Sequence, residues 1–212
     1  MDVIDKVKRL YDSNPDEKQL DLYLSDIRES LTTSNRNFLS LQILLIIAMV
    51  TYYLVVYAGW EGISYGSIKI SDKSLFQKIF LNIPATIFVM QTCIGYLRRL
   101  QREVYDYATI NRCKILGELS LHELRLPSSY IQSLDIMRFE EGILGKIISN
   151  IVARIMISVF VMLPAVYMVR ESIINFHTFG ASDIISVISS GLVIIMCCSG
   201  FIIIILTSKI KA

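Results

Sequence analysis

Four long apolar runs decide what this chain can fold into. They lie at about 38–59, 80–97, 148–169 and 184–207. A helix of roughly 18–25 apolar residues is long enough to cross a hydrocarbon core about 30 Å thick. Lipid offers the backbone no hydrogen-bond partners, so such a run crosses as a helix. "FLSLQILLIIAMVTYYLVVYAG" and "IISVISSGLVIIMCCSGFIIIIL" are the clearest spans. "FLNIPATIFVMQTCIGYL" is shorter and holds Pro84, and the third run holds Arg154. The expected fold class is therefore all-α: a polytopic membrane protein with four transmembrane helices and a helical cytoplasmic region. Composition agrees, with 53% hydrophobic and 19% charged residues against about 25% charged in an ordinary soluble domain.

Lys and Arg placement sets the expected orientation. The tail before the first span carries Lys6, Lys8, Arg9, Lys18, Arg28 and Arg36. The segment between the second and third spans carries eight more, opening with "GYLRRLQR". The other two loops hold only Lys69, Lys73, Lys78 and Arg170. Both termini and the middle segment are thus expected in the cytoplasm of an inner-membrane protein. The organisation that follows is a helical tail at 1–37, spans one and two with a short outer loop at 38–97, a helical middle domain at 98–147, spans three and four at 148–207, and a tail at 208–212. The first 37 residues are charged and lack an apolar signal core, so the first span is expected to act as an uncleaved anchor. Cys93, Cys113, Cys197 and Cys198 avoid the outer loops and are expected to be reduced.

The tail reads as two short amphipathic helices. In the second, Pro15 suits a first turn, and Leu20, Tyr23, Leu24 and Ile27 share a face. The outer loop at 60–79 suggests a small hairpin in "ISYGSIKI", with Trp60 and Tyr65 as interfacial anchors. The second outer loop is expected at 170–183. No breaker interrupts Arg98 to Leu116, so the second span is expected to continue into the cytoplasm. From Phe80 to Leu116 that helix would be about 55 Å long.

Arg154 is the most conspicuous intramembrane residue. It lies eight residues past Lys146, about 12 Å along a helix, within snorkelling distance of the cytoplasmic headgroups. Asn150, Arg154 and Ser158 also form a polar stripe at i, i+4, i+8. Gln91 and Gln42 sit at a similar depth counted from Arg98 and Arg36. These five residues suit a buried polar layer holding the bundle together, or a layer lining a path. On the fourth span, Ser186, Ser190, Cys197 and Gly200 form a small-residue face for close helix packing, within the subunit or between subunits.

No catalytic residue set emerges. Ser120, His122 and Glu123 sit on an amphipathic segment as surface polar residues. Ser190–Gly191 lacks both the preceding glycine and the intramembrane histidine that a serine protease requires. Two histidines and four scattered cysteines give no metal spacing. No phosphate-binding glycine loop is present, so no cofactor is expected. A net charge of +2 with intermixed signs argues against direct nucleic-acid binding.

A charged helical tail, four spans, a stem from "YLRRLQREVYDY", a compact middle domain and almost no outer mass together resemble the four-span membrane component of the Kiwa anti-phage defence system. The likeness is architectural and carries no residue by motif. It implies a homo-oligomer in the inner membrane, a tetramer, that senses infection alongside a soluble cytoplasmic DNA-binding partner. SLATT-type effectors are also similar, though they have two spans. The expected function is a non-enzymatic sensor or effector that oligomerises and docks a soluble partner on 1–37 and 98–146. The alternative is a small ion channel or transporter subunit gated from the cytoplasm. Arg154→Leu separates a packing layer from a path. The expected outcome is an oligomer weakened by about 1–2 kcal/mol in heat resistance, with any conductance unchanged. A shifted reversal potential in liposomes with unchanged heat resistance would reverse that assignment.

Overall fold

The computed structural model describes residues 17–58, 64–65, 68–69, 72–112 and 162–209. Among these, the elements are α1 (Glu17–Val56), β1 (Ser64–Tyr65), β2 (Ile68–Lys69), α2 (Lys73–Ile79), α3 (Asn82–Arg112), α4 (Leu163–Phe179) and α5 (Ile184–Lys209). The described residues are helical apart from one minimal hairpin. In that hairpin Ser64 faces Lys69 and Tyr65 faces Ile68 in antiparallel register, where the hairpin was expected. Among the described residues three stretches are long and apolar enough to cross a membrane: Leu22–Val56, Lys73–Tyr105 and Ile184–Thr207. The run at 148–169 is described only from Met162 onward.

α1 corrects the expectation that the second tail helix is short and separate from the first span; the first tail helix lies outside the described residues. From Glu17, α1 runs unbroken for 40 residues, about 60 Å at 1.5 Å per residue. The cause is plain in the sequence: no Gly or Pro occurs from Glu17 to Val56, so nothing halts propagation. The helix closes where the N–H groups of Tyr57 and Ala58 both return to the carbonyl of Tyr53. α3 continues to Arg112, as expected for a span with a stem. Asn82 opens it, its amide donating to the Ile79 carbonyl at 3.0 Å. Pro84 is tolerated there because the first-turn N–H groups have no helical acceptor. The segment between the first two expected spans also holds an unforeseen helix, α2, capped by Asp72, whose carboxylate accepts from the N–H of Leu75 at 3.1 Å.

The chain divides into two compact units. One comprises Met1–Phe38, Ile94–Met156 and Leu206–Ala212; the other comprises Leu39–Cys93 and Ile157–Ile205. In the first unit, the early part of α1 pairs with the late part of α3. Gln101 bonds Ser30 at 2.6 Å and Ser34 at 3.2 Å, and Arg98 donates to Asn35 at 3.2 Å. The Arg98 guanidinium also lies over the Phe38 ring, 4.7 Å from its centroid. These partners step in opposite directions along the two helices, so the pair is antiparallel. Leu31 and Tyr105 form its apolar centre, with Leu24 and Ile27 packed alongside.

In the second unit, Leu45, Tyr52, Val55, Phe76, Leu81, Ala85, Phe88, Ala165, Met168, Val193 and Cys197 make one core. Here α3 and α5 run parallel. Asn82 meets Ser189, Thr86 meets Met196, and Phe88 meets both Gly200 and Phe201. The expected small-residue face is turned inward within the chain, since Ser186, Ser190, Cys197 and Gly200 are all buried. "FIIIIL" is only partly outward. Ile202, Ile205 and Leu206 are exposed, while Phe201 and Ile204 pack on the core. Cys93, Cys197 and Cys198 are free thiols.

Gly200 lies hard against a side chain of α3. A Cβ there would lie 2.3 Å from a ring carbon of Phe88. That ring is fully buried and set edge-on to Phe201 at 6.1 Å, so it has little room to turn aside. Gly200→Ala should therefore cost roughly 1–3 kcal/mol by overpacking, read as a lower thermal midpoint in mild detergent. Gly191, with nothing within 4 Å of a built Cβ, is the internal control. Gly191→Ala should be neutral or stabilising by up to about 1 kcal/mol through helix propensity.

Candidate functional site

The densest polar chemistry among the described residues lies in the second unit, where an outer loop was expected at 170–183. That expectation is corrected: α4 continues to Phe179, and the connection shrinks to Gly180–Asp183. Gly180 ends α4 at φ 76°, a backbone region that disfavours side chains, and its N–H returns to the Phe176 carbonyl. Asp183 starts α5. Its carboxylate accepts from the N–H of Ser186 at 3.2 Å, and its carbonyl accepts from Val187.

Asn175 is the hub. It is 1% exposed and touches three other elements. Its Oδ1 accepts from Gln77 Nε2 at 3.0 Å, and its Nδ2 donates to the Gln77 carbonyl at 2.8 Å. The Tyr52 hydroxyl stands 3.3 Å from Nδ2. The Asn175 carbonyl accepts from the Ser186 hydroxyl at 3.4 Å. One side chain and its own carbonyl thus tie α1, α2, α4 and α5 together.

One turn earlier on the same face is Glu171, wholly buried. The Tyr57 hydroxyl donates to its Oε2 at 2.6 Å, and Arg170 donates to its Oε1 at 3.0 Å. The Arg170 side chain itself is 65% exposed. The Tyr167 hydroxyl and Ser172 Oγ are buried without a hydrogen-bond partner. Toward the start of α5, Lys78 pairs with Asp183 and lies 4.5 Å over the Phe179 ring. The Lys78 carbonyl accepts from the Ser189 hydroxyl, which in turn accepts from Asn82 at 2.6 Å.

This arrangement is a clasp. It holds two carboxylates, three amides and several hydroxyls, most of them matched to a neighbour, in otherwise apolar surroundings. Nothing in it pairs a nucleophile with a base. Among the described residues no group of His, Cys, Asp and Glu could hold a metal ion.

Of the five residues expected to form an intramembrane layer, Asn150, Arg154 and Ser158 lie outside the described residues. Gln91 is 3% exposed, with both amide atoms unpartnered, and Gln42 is half-buried. Sequence reading missed the clasp because "RESIINFHT" is polar enough to pass for a loop. The signal was present all the same. Tyr167, Glu171 and Asn175 recur at i, i+4, i+8, and Gly180 and Asp183 carry stop and start chemistry. Compared with protein-family models, curated proteins and solved structures, the chain matches none of them.

Asn175→Ala should lower stability by roughly 1–2 kcal/mol, because it strands the Gln77 amide and the Tyr52 hydroxyl. Tyr57→Phe should cost less, since Arg170 still serves Glu171. Thermal midpoints in mild detergent would rank the two. The Lys78 ammonium, followed by the Ser186 N–H, holds the Asp183 carboxyl below its ordinary value of 3.8. The stabilisation is thus complete above the ordinary value and is lost as pH falls through the lowered one. Acidification below about pH 4 should therefore depress the midpoint of the wild type more than that of Asp183→Asn.

Proposed function

We propose that the chain is a non-enzymatic, multi-pass subunit of the inner membrane. In this reading it crosses four times with both termini inside, and it presents paired cytoplasmic helices to a soluble protein partner. The observation that carries the reading is the antiparallel pairing of residues 17–38 with 94–112. Its seam is Ser30, Ser34, Asn35, Arg98 and Gln101. The outward residues of this pair, Asp26, Arg28, Glu29, Arg36 and Asn37 among them, are charged or polar, as suits water. The apolar stretches of α1 and α3 are built for lipid. Each helix exceeds the 20 or so residues that a crossing needs, at 40 and 31 residues.

Parity supports four crossings. α3 and α5 run parallel, so the chain between them must return an odd number of times. α4 supplies the end of one return, because a four-residue turn joins it to α5 and Ser186 folds back onto Asn175. The bias of Lys and Arg toward the tail and stem then places both in the cytoplasm. Leu22 and Tyr23 are exposed on the tail helix at 67% and 40%. Apolar side chains in water favour a covering protein surface, either a further copy in a homo-oligomer, taken as a tetramer, or the soluble partner. Anti-phage defence of the Kiwa kind is the setting that the architecture suggests.

Cysteine labelling and particle mass test this. In the intact cell, a cysteine at Ser182 should react with an impermeant reagent, and cysteines at Ser30 and Ser128 should not. In mild detergent the full chain should be a multimer by mass photometry. Outside labelling at Ser30, or a monomer with the tail intact, would overturn the proposal. One observation favours the channel reading instead, namely the unpartnered amide of Gln91 inside the bundle.

A further inference from the structure

Gln91 is the buried polar group that the fold serves least. An amide offers two N–H donors and an oxygen with two lone pairs. In Gln91 all of these are unmade, at 3% exposure. Leaving a buried amide unpaired costs as much as desolvating it outright. The other unpartnered atoms among the described residues are Asn82 Oδ1, Tyr167 OH and Ser172 Oγ. They belong to the clasp or border it, where neighbouring bonds already fix the geometry. Among the described residues no hydrogen bond reaches the Gln91 side chain. Thr92 beside it is buried too, but its hydroxyl is turned back onto the Val89 carbonyl at 2.8 Å.

The register brings a second amide to the same level. Tyr52 stacks with Phe80 at a centroid distance of 6.4 Å, and Leu45 and Phe88 share the same core. Both pairs fit α1 and α3 running antiparallel in this unit. Ten residues back along α1 from Tyr52 is Gln42; eleven along from Phe80 is Gln91. Both therefore stand about 15 Å from the Tyr52 level. Gln42 is half-buried, and no hydrogen bond joins the two amides, because Gln91 makes none.

We propose that Gln91 and Gln42 face a hydrated station within the bundle, one that takes water and small hydrophilic solutes. Water can donate to and accept from both amides at once. Polar side chains at membrane depth characteristically face water-filled regions or one another. Gln91 and Gln42 are both neutral, so neither brings a fixed charge to the station, and their amides are matched to water. The inference rests on the reading that these helices cross a membrane.

Thiol accessibility tests it on the full chain in liposomes. Cys93, Cys113, Cys197 and Cys198 are first replaced by alanine. Gln91→Cys is then compared with Ile195→Cys, a lipid-facing control, and Ser182→Cys, an aqueous control. The probe is a methanethiosulfonate with an ammonium headgroup, which reacts with the thiolate and so requires water. A hydrated station should make Gln91→Cys react at least about 100-fold faster than Ile195→Cys. Equal rates at 91 and 195, both far slower than at 182, would overturn the station. Equal rates at 195 and 182 would mean that the helices lie in water, and the membrane reading would fail first. Should Gln91→Cys not assemble, Gln42→Cys is judged against the same two controls. Gln91→Met, close in volume, should leave the thermal midpoint within about 2 °C of wild type. A rise of several degrees would reveal a dry, unsatisfied amide and overturn the station.

Discussion

The second unit depends on one asparagine. Its helices expose Ile43, Ile47, Ile188 and Ile195 outward, and in lipid such side chains gain nothing by clustering. Association there rests on close packing and on polar bonds that have no better partner. Asn175 supplies the polar bonds, reaching α1, α2 and α5 from a single position on α4. Gly200 under the Phe88 ring supplies the close packing at the opposite flank. One contact is directional and the other steric, so together they fix both the rotation and the spacing of the helices.

The first unit is held by different physics. Its seam mixes Leu31 and Tyr105 with hydroxyls, amides and Arg98, and its outward residues are largely charged or polar. That is the pattern of a helix pair in water, where burying a few leucines is itself favourable. α1 and α3 each contribute to both kinds of environment without a break. The sequence marks the transition in composition alone: "SDIRESLTTSNRN" gives way to "FLSLQILLIIAMV", and "FVMQTCIGYL" to "RRLQREVYDY".

Much of the fold was legible where the determinants are local. Long apolar runs, the stem beyond Arg98, the hairpin near Tyr65 and the small face of the last helix follow from period, length and side-chain size. The clasp was not legible, and the reason is instructive. Glu171 and Asn175 look like loop residues when polarity is read residue by residue. Their partners Tyr57, Ser186 and Gln77 lie up to 114 positions away. A polar side chain on a membrane helix is ambiguous until its partner is known. Gln91 shows the converse. Its depth could be counted from Arg98, but that its amide is buried without a partner is something spacing does not indicate.

The sequence separations within the clasp also impose an order of assembly. Ser186 and Asn175 are 11 residues apart, so their contact closes as soon as α5 follows α4 out of the ribosome. Tyr52 and Gln77 are separated from Asn175 by 123 and 98 residues. Both are made long before their partner, and must wait with their polar groups provisionally solvated. The hub can close only once Asn175 has been made, so the bonds of the clasp that reach α1 and α2 form after those that join α4 to α5 become possible. The position of Asn175 late among its partners thus makes the longest-range contacts of the unit the last to form.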